Sequence, residues 1–197
     1  MDLHIRPLDP QVETELELVA QRMRATLIEV LGEEQGAAMY SLEWLRQRVR
    51  AHLPGGEDQA AVLLAEQGGE IVGQAIVRSD QDEQGAPLGL MATIYVLPEW
   101  RRHGVAQALM TEVEAWIRAQ GLDRAATNTG KHNLRLIRLC ESRGYRIALQ
   151  TEDMVQLLRE LEEAAVREQE QRQKQRVVPE EGLGYKTAVR RFRTDHA

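Results

Sequence analysis

Cysteine is almost absent. Cys140 is the only one in 197 residues, so no disulfide can close within the chain and a reducing compartment is expected. Aromatic residues make up only 4% of the chain, which leaves Leu, Ile, Val and Ala to fill the interior. Positive charge is also short. Lys and Arg number 25 against 31 Asp and Glu, a formal net charge of -6. That balance excludes a general electrostatic grip on nucleic acid, which needs clustered Lys and Arg, and it excludes polybasic membrane contact. No apolar run approaches the ~18 residues of a membrane helix. The start, MDLHIRPLD, lacks a basic stretch followed by an apolar one, so no export leader is expected and the cytoplasm is the expected location. The five histidines and the lone cysteine show no metal-ligand spacing, and no metal is expected.

What is present is an alternation of helical and strand-like patterns. Residues 3–8 read as a short strand. Between residues 11 and 31, Val12, Leu16, Val19, Met23, Leu27, Val30 and Leu31 recur at three and four, one face of a helix. A second helix fits 41–53, with Ser41 as its N-cap and Pro54-Gly55-Gly56 after it. AVLLAEQ (61–67), Gly68-Gly69 and EIVGQAIVRS (70–79) read as a hairpin. DQDEQGAP (80–87) is a loop and LGLMATIYVLP (88–98) a third strand. A helix fits Val105–Gln120, a weaker strand 124–129, a helix 134–143 and a last strand 145–150. Residues 153–165 space Met154, Leu157, Leu158, Leu161 and Ala165 as one face of a helix. After them REQEQRQKQR (167–176) is polar all round. This divides the chain into a domain at 1–152 and a helical extension with a tail at 153–197. The apolar stripe of that extension needs a partner surface, and a homodimer is the expected way to cover it.

The most informative stretch is Arg101-Arg102-His103-Gly104-Val105-Ala106, placed between a strand and a helix. The first N–H groups of a helix lack intrahelical partners and point out of its start, where the helix dipole adds positive potential. Gly104 and Ala106 allow close approach to the backbone, and two arginines add charge. Such a turn suits a pyrophosphate. By itself it is equally a wet bend between two elements.

The element order and two motifs resolve that choice. Val96-Leu-Pro-Glu-Trp-Arg101-Arg-His-Gly104-Val-Ala106-Gln107 resembles the Q/R-x-x-G-x-G/A signature of the GNAT superfamily of N-acetyltransferases. Asn133, Cys140 and Gly144-Tyr145 match a second pattern of that family, in which Asn precedes a Tyr and then Gly-Phe or Gly-Tyr. The resemblance covers roughly residues 3–155. It implies an α/β fold (α+β in the finer sense) with a central mixed, mostly antiparallel sheet, a splayed strand pair and flanking helices. It implies acetyl-CoA as acyl donor and a primary amine as acceptor, with transfer by direct attack in a ternary complex. A small-molecule acceptor is favoured over a protein one.

The same resemblance implies the site. The main chain of Ile94, Tyr95 and Val96 would bind the pantetheine arm, with the Val96 N–H as oxyanion donor. The amides of Arg101, Arg102, His103, Gly104, Val105, Ala106 and Gln107 would take the pyrophosphate, and Asn133 would touch the pantetheine while capping its helix. At the position where the family often has a Tyr as general acid stands Cys140, either a short acid or an apolar wall residue. Water, Tyr145 and Tyr185 are alternative acids. No acid lies on the strand 88–98. Glu66 and Glu70 flank the hairpin turn and Glu99 follows Pro98, and each reads first as a solvated turn residue. Tyr40, Trp44, Asp80, Asp82 and Glu83 are candidates for receiving a cationic acceptor. The competing reading is a catalytically silent acyl-CoA-binding or interaction module.

Overall fold

The structure is a computed structural model that describes residues 3–56 and 59–161. Seven strands form one sheet: β1 (Leu3–Pro7), β2 (Ala60–Gln67), β3 (Glu70–Gln81), β4 (Pro87–Val96), β5 (Arg124–Gly130), β6 (Arg146–Gln150) and β7 (Met154–Glu160). Their spatial order is β1-β2-β3-β4-β5-β7-β6. Each neighbouring pair is antiparallel except β4 and β5, which run parallel. Five helices accompany them: α1 (Glu13–Leu31), α2 (Glu33–Met39), α3 (Leu42–Ala51), α4 (Val105–Ala119) and α5 (Leu134–Ser142).

The sheet is buried on both faces, and the sequence of β2 shows why. Its run AVLLA is apolar at consecutive positions, the pattern of a strand covered on two sides. Val62 and Leu64 join Leu16, Val19, Ala20, Leu45 and Val49 of α1 and α3. Leu63 and Ala65 face the opposite way, toward Val105, Leu109, Val113 and Ile117 of α4 and Ile137 and Cys140 of α5. Each fully buried Leu, Ile or Val contributes about 1.5–3 kcal/mol by leaving water. Gly89 of β4 is required by this packing. A Cβ there would sit 2.3 Å from Ile117 of α4.

Residues 154–160 correct the helical expectation for 153–165. They form β7, paired along its whole length with β5, from Arg124 opposite Glu160 to Gly130 opposite Met154. Val155 and Leu157 are buried in the α4–α5 core, and Leu161 closes it. Leu157 and Leu161 are thus buried within the fold, Leu158 packs against Leu88, Leu90 and Ala126, Met154 is exposed, and Ala165 lies outside the described residues, so the single helical stripe from which a homodimer was expected is not formed by residues 154–161. The strand at 145–150 is not the last, and the compact unit runs to Leu161 rather than stopping at 152. The remainder of the expected extension lies outside the described residues.

Two features were not anticipated. Helix α2 follows α1 directly, separated by Gly32 at φ +87°. Gly36 lets the two helices meet, since a Cβ there would lie 2.6 Å from the Ile28 backbone. The second is a bulge in β4. Val77 pairs with Met91 and Ile76 with Thr93, leaving Ala92 as the extra residue.

Candidate functional site

Strands β4 and β5 share only two paired positions, Gly89 with Ala125 and Leu90 with Ala126. Beyond them the strands part, although β4 continues to Val96 and β5 to Gly130. Thr127 marks the crotch. Its hydroxyl donates to the Met91 carbonyl at 2.9 Å, where the next backbone rung would otherwise lie. The bulge at Ala92 follows at once, and extra residues of this kind bend a strand away from its neighbour. The bulge also switches which face each side chain takes. Met91 lies in the α4–α5 core, as do Ile94 and Val96 beyond it. Thr93 and Tyr95 thus face α1.

Hydrogen bonding fixes the direction of the backbone groups lining the gap. The Leu97 N–H donates to Val72 O at 3.0 Å while Gly73 stands opposite Val96. In an antiparallel pair this makes Gly73 and Val96 a non-hydrogen-bonded couple. The N–H and C=O of Val96 therefore point away from β3, toward the gap, and two residues back those of Ile94 do the same. Tyr95 is different. Its main chain faces Gln74 on β3, and its ring lies beneath Arg22, whose guanidinium carbon is 5.5 Å from the ring centre.

At the open end of β4 stands the turn of residues 101–104. Arg102 has φ +68° and Gly104 φ +83°, two left-handed residues in a tight bend. A Cβ on Gly104 would meet nothing within 4 Å, so the glycine is not forced by packing. The first helical bond of α4 is from Ala108 N–H to Gly104 O, which leaves the amides of Val105, Ala106 and Gln107 without i−4 acceptors. Val105 anchors the turn by burying its side chain in the core. His103 is exposed, with Nδ1 2.9 Å from Arg101 O and its ring edge-on to Trp100. Arg101 turns back over β4. Its Nε donates to Val96 O at 3.1 Å, and its two terminal nitrogens grip Glu29 of α1 at 3.0 and 2.8 Å. Arg135 of α5 reaches the same carboxylate at 3.3 Å.

Asn133 caps α5 by accepting from the Leu136 N–H at 3.4 Å and donates to Thr129 Oγ1 at 2.9 Å. It ties α5 to the end of β5 on the far side of the gap. Cys140 is fully buried, and burial pushes its thiol up to about 12. Tyr145 is buried too, and desolvation raises its hydroxyl above the ordinary tyrosine value. Its O–H donates to Glu114 at 3.3 Å, a carboxylate also held by Arg143 and Arg159. Tyr185 lies outside the described residues.

The acids named for a base or a cation do not converge on the gap. Glu66 is bound by Arg6 at 2.8 Å, and Glu70 and Glu99 are exposed. Asp80 pairs with Arg78 and Asp82 with Arg124, each at 2.7 Å, while Glu83 is exposed. Tyr40 and Trp44 stack on each other with ring centres 4.1 Å apart. Sequence reasoning missed Thr127, Thr93, Gln74, Glu29 and Arg135. Gln74 is fully buried, and its Oε1 has no partner, nor does the buried Thr93 Oγ1. Both lie on the α1 side of the sheet, as diagonal neighbours across β3 and β4. A lone polar residue inside an apolar strand was the available signal. Among the described residues no cluster of three metal-binding side chains occurs, and no helix is long and apolar enough to cross a membrane.

Comparison with known proteins agrees with this geometry. An aminoglycoside N(6')-acetyltransferase type 1 of Stenotrophomonas maltophilia is 37% identical over 76 residues, 36% of this chain and 50% of that protein. A mycothiol acetyltransferase of Thermobispora bispora is 32% identical over 114 residues, 57% of this chain and 37% of that protein. The chain thus spans half or less of the curated relatives it matches. Among solved structures, the PaiA N-acetyltransferase of Thermoplasma acidophilum in complex with coenzyme A superposes with a TM-score of 0.63 at 16% identity. That match takes in 81% of this chain and 99% of the other, a likeness of fold. The family model for GNAT acetyltransferases matches residues 24–145, more than half of the chain, and the chain belongs to that family.

Proposed function

We propose that the protein is an N-acetyltransferase that takes its acetyl group from acetyl-CoA and passes it to a primary amine. The observation that carries this reading is the gap between β4 and β5, lined by inward-pointing backbone groups of Ile94 and Val96 and ending at the glycine turn. An extended amide-bearing arm fits the gap, and a pyrophosphate fits the turn, against the amides of residues 101–107 and the open space over Gly104. Asn133 has one lone pair of Oδ1 left for the same arm. The main chain of Tyr95 is turned toward β3, so in this reading Tyr95 serves the acceptor side through its ring.

The amine nitrogen attacks the thioester carbonyl and loses a proton. The carbonyl oxygen becomes an oxyanion, the carbon–sulfur bond breaks, and the thiolate leaves and is protonated. The N–H groups of Val96 and Ile94 both point to where the oxyanion forms. Ile94 lies deeper, nearer the bulge, and Val96 shares its carbonyl with Arg101. An alkylammonium has a pKa of roughly 10.4, so its proton must be drawn off. With no free carboxylate in the gap among the described residues, water serves as carrier in this reading, and the unpartnered Thr93 hydroxyl and Gln74 amide oxygen are positioned to hold it. Cys140 acts as wall rather than acid, being short, buried and held far above its ordinary value. The leaving thiolate then takes its proton from water.

A small-molecule acceptor is favoured. The curated relatives' names give an aminoglycoside and mycothiol, and the stacked Tyr40–Trp44 pair offers a flat apolar surface beside α2 and α3. The missing acid gives one ground for the alternative, a silent acyl-CoA-binding module. Release of free thiol from acetyl-CoA, measured across a panel of primary amines, separates the two. Amine-dependent release supports the enzyme, and binding without release on any amine supports the module.

A further inference from the structure

The anionic end of the proposed site already contains an anion. Glu29, near the end of α1, is gripped by both terminal nitrogens of Arg101 and by Arg135. The same Arg101 side chain closes over the Val96 carbonyl, one of the inward-pointing groups that the donor's arm would use. Arg101 opens the motif turn, and Arg135 stands two residues beyond Asn133, so the two cations come from opposite banks of the gap. Among the described residues, Glu29 is the group that joins them. The next residue, Val30, lies against the end of β5, 3.5 Å from a Cβ built on Gly130, so α1 reaches across the mouth here.

From this geometry we propose that Glu29 is an internal competitor for the acyl-CoA phosphates, and that Arg101 and Arg135 are the two cations it yields when the donor binds. The inference rests on the acetyl-CoA reading above. In the free protein the carboxylate pairs with both guanidinium groups and Arg101 caps Val96 O. When the donor enters, its amide takes over Val96 O, its phosphates take over the guanidinium groups, and Glu29 is released to water. Arg135 thereby becomes a phosphate-binding residue outside the motif turn. Glu29 acts through Arg101 and Arg135 and touches no reacting atom, so it is a positioning residue. Glu29 and Arg101 are partly exposed, so the exchange opens no buried pair, and an exposed pair of this kind holds weakly enough to be displaced.

The test measures acetyl-CoA affinity by titration calorimetry for the wild-type protein and for Glu29→Gln, Glu29→Asp and Arg135→Ala. S-acetylpantetheine, which has no phosphates, is run as the control ligand. Glu29→Gln should tighten acetyl-CoA about three- to tenfold, the scale of an exposed ion pair plus relieved like-charge repulsion. It should leave S-acetylpantetheine unchanged and lower KM for acetyl-CoA without changing kcat. Glu29→Asp, which keeps the charge, should stay near wild type, and Arg135→Ala should weaken acetyl-CoA by a similar factor. Unchanged or weaker acetyl-CoA binding by a folded Glu29→Gln variant overturns the competitor role, as does an equal change for both ligands. Unchanged binding by Arg135→Ala overturns its part. If the wild-type protein binds no acetyl-CoA, the donor reading fails first and this inference with it.

Discussion

Cys140 occupies the position where family members often carry a tyrosine, and its surroundings decide what it can do. It belongs to the same buried core cluster as Leu109, Ile137 and Leu157, and desolvation holds its thiol up to about 12. At pH 8 the thiol is therefore protonated and shielded. A disulfide reagent should leave the native protein unmodified and titrate one thiol in urea. Rapid native reaction would mean that α5 opens. Replacing Cys140 with Ala should lower turnover by less than about tenfold, because a true general acid is worth roughly 10²–10⁴. A larger loss with donor binding intact would return Cys140 to the chemistry. Gly104 is the opposite kind of residue, exposed and in a left-handed conformation with open space where a Cβ would sit. Its identity answers to what arrives there from solution. Both residues were picked out from sequence, because motif spacing marks positions reliably. Burial at 140 and free space at 104 are three-dimensional properties that spacing does not carry.

At the scale of elements, the legible parts were those with a single clear period. α1, α3, α4 and the β2–β3 hairpin carry unambiguous stripes, alternations or turn glycines. Residues 154–161 do not. The string MVQLLREL satisfies a helical spacing through Met154, Leu157, Leu158 and Leu161 and an alternation through Val155 and Leu157. The open edge of β5 decides for the strand, since β7 completes seven consecutive pairs there. Leu157→Ala should cost about 2–5 kcal/mol in urea denaturation, the range for a buried leucine. A cost below about 0.5 kcal/mol, typical of surface positions, would place β7 outside the core. The bulge at Ala92 was invisible because nothing in LMATIYV breaks a strand.

A second element-level device ties β1, α1 and β2 together. Arg6 donates to Glu15 at 2.6 and 3.1 Å and to Glu66 at 2.8 Å. The Arg6 hydrogen bonds hold the Glu15 carboxyl below its ordinary value, against the opposing effect of burial. A carboxylate depressed in the folded state stabilises it above the unfolded pKa, and that contribution is lost as pH falls through the folded value. Glu15→Gln should therefore destabilise by about 1–3 kcal/mol at pH 7, the worth of a hydrogen bond to a charged group. The difference between variant and wild type should shrink as pH drops below about 4. A pH-independent difference would mean that packing, not charge, is lost.

Across the described residues as a whole, two helical layers brace a sheet that is continuous except where β4 and β5 part. That opening has the Ile94 and Val96 backbone groups along it and the glycine turn at its end, where Arg101 links Val96 O to Glu29. The glycine turn and the Asn133 helix start, which make up the proposed binding half, were legible in sequence because both are local strings. The catalytic half was not, since the acids that flank β4 in sequence are engaged by arginines or exposed in the fold. Acceptance of an acetyl-CoA molecule by that opening is the central claim. It is tested most directly by calorimetric titration of acetyl-CoA into the wild-type protein and into Gly104→Glu. The account predicts saturable micromolar binding to the wild type and none to the variant, in which a carboxylate occupies the pyrophosphate's place while the fold, checked by circular dichroism, is kept. Absence of binding to the folded wild type, or equal binding to both, would contradict it.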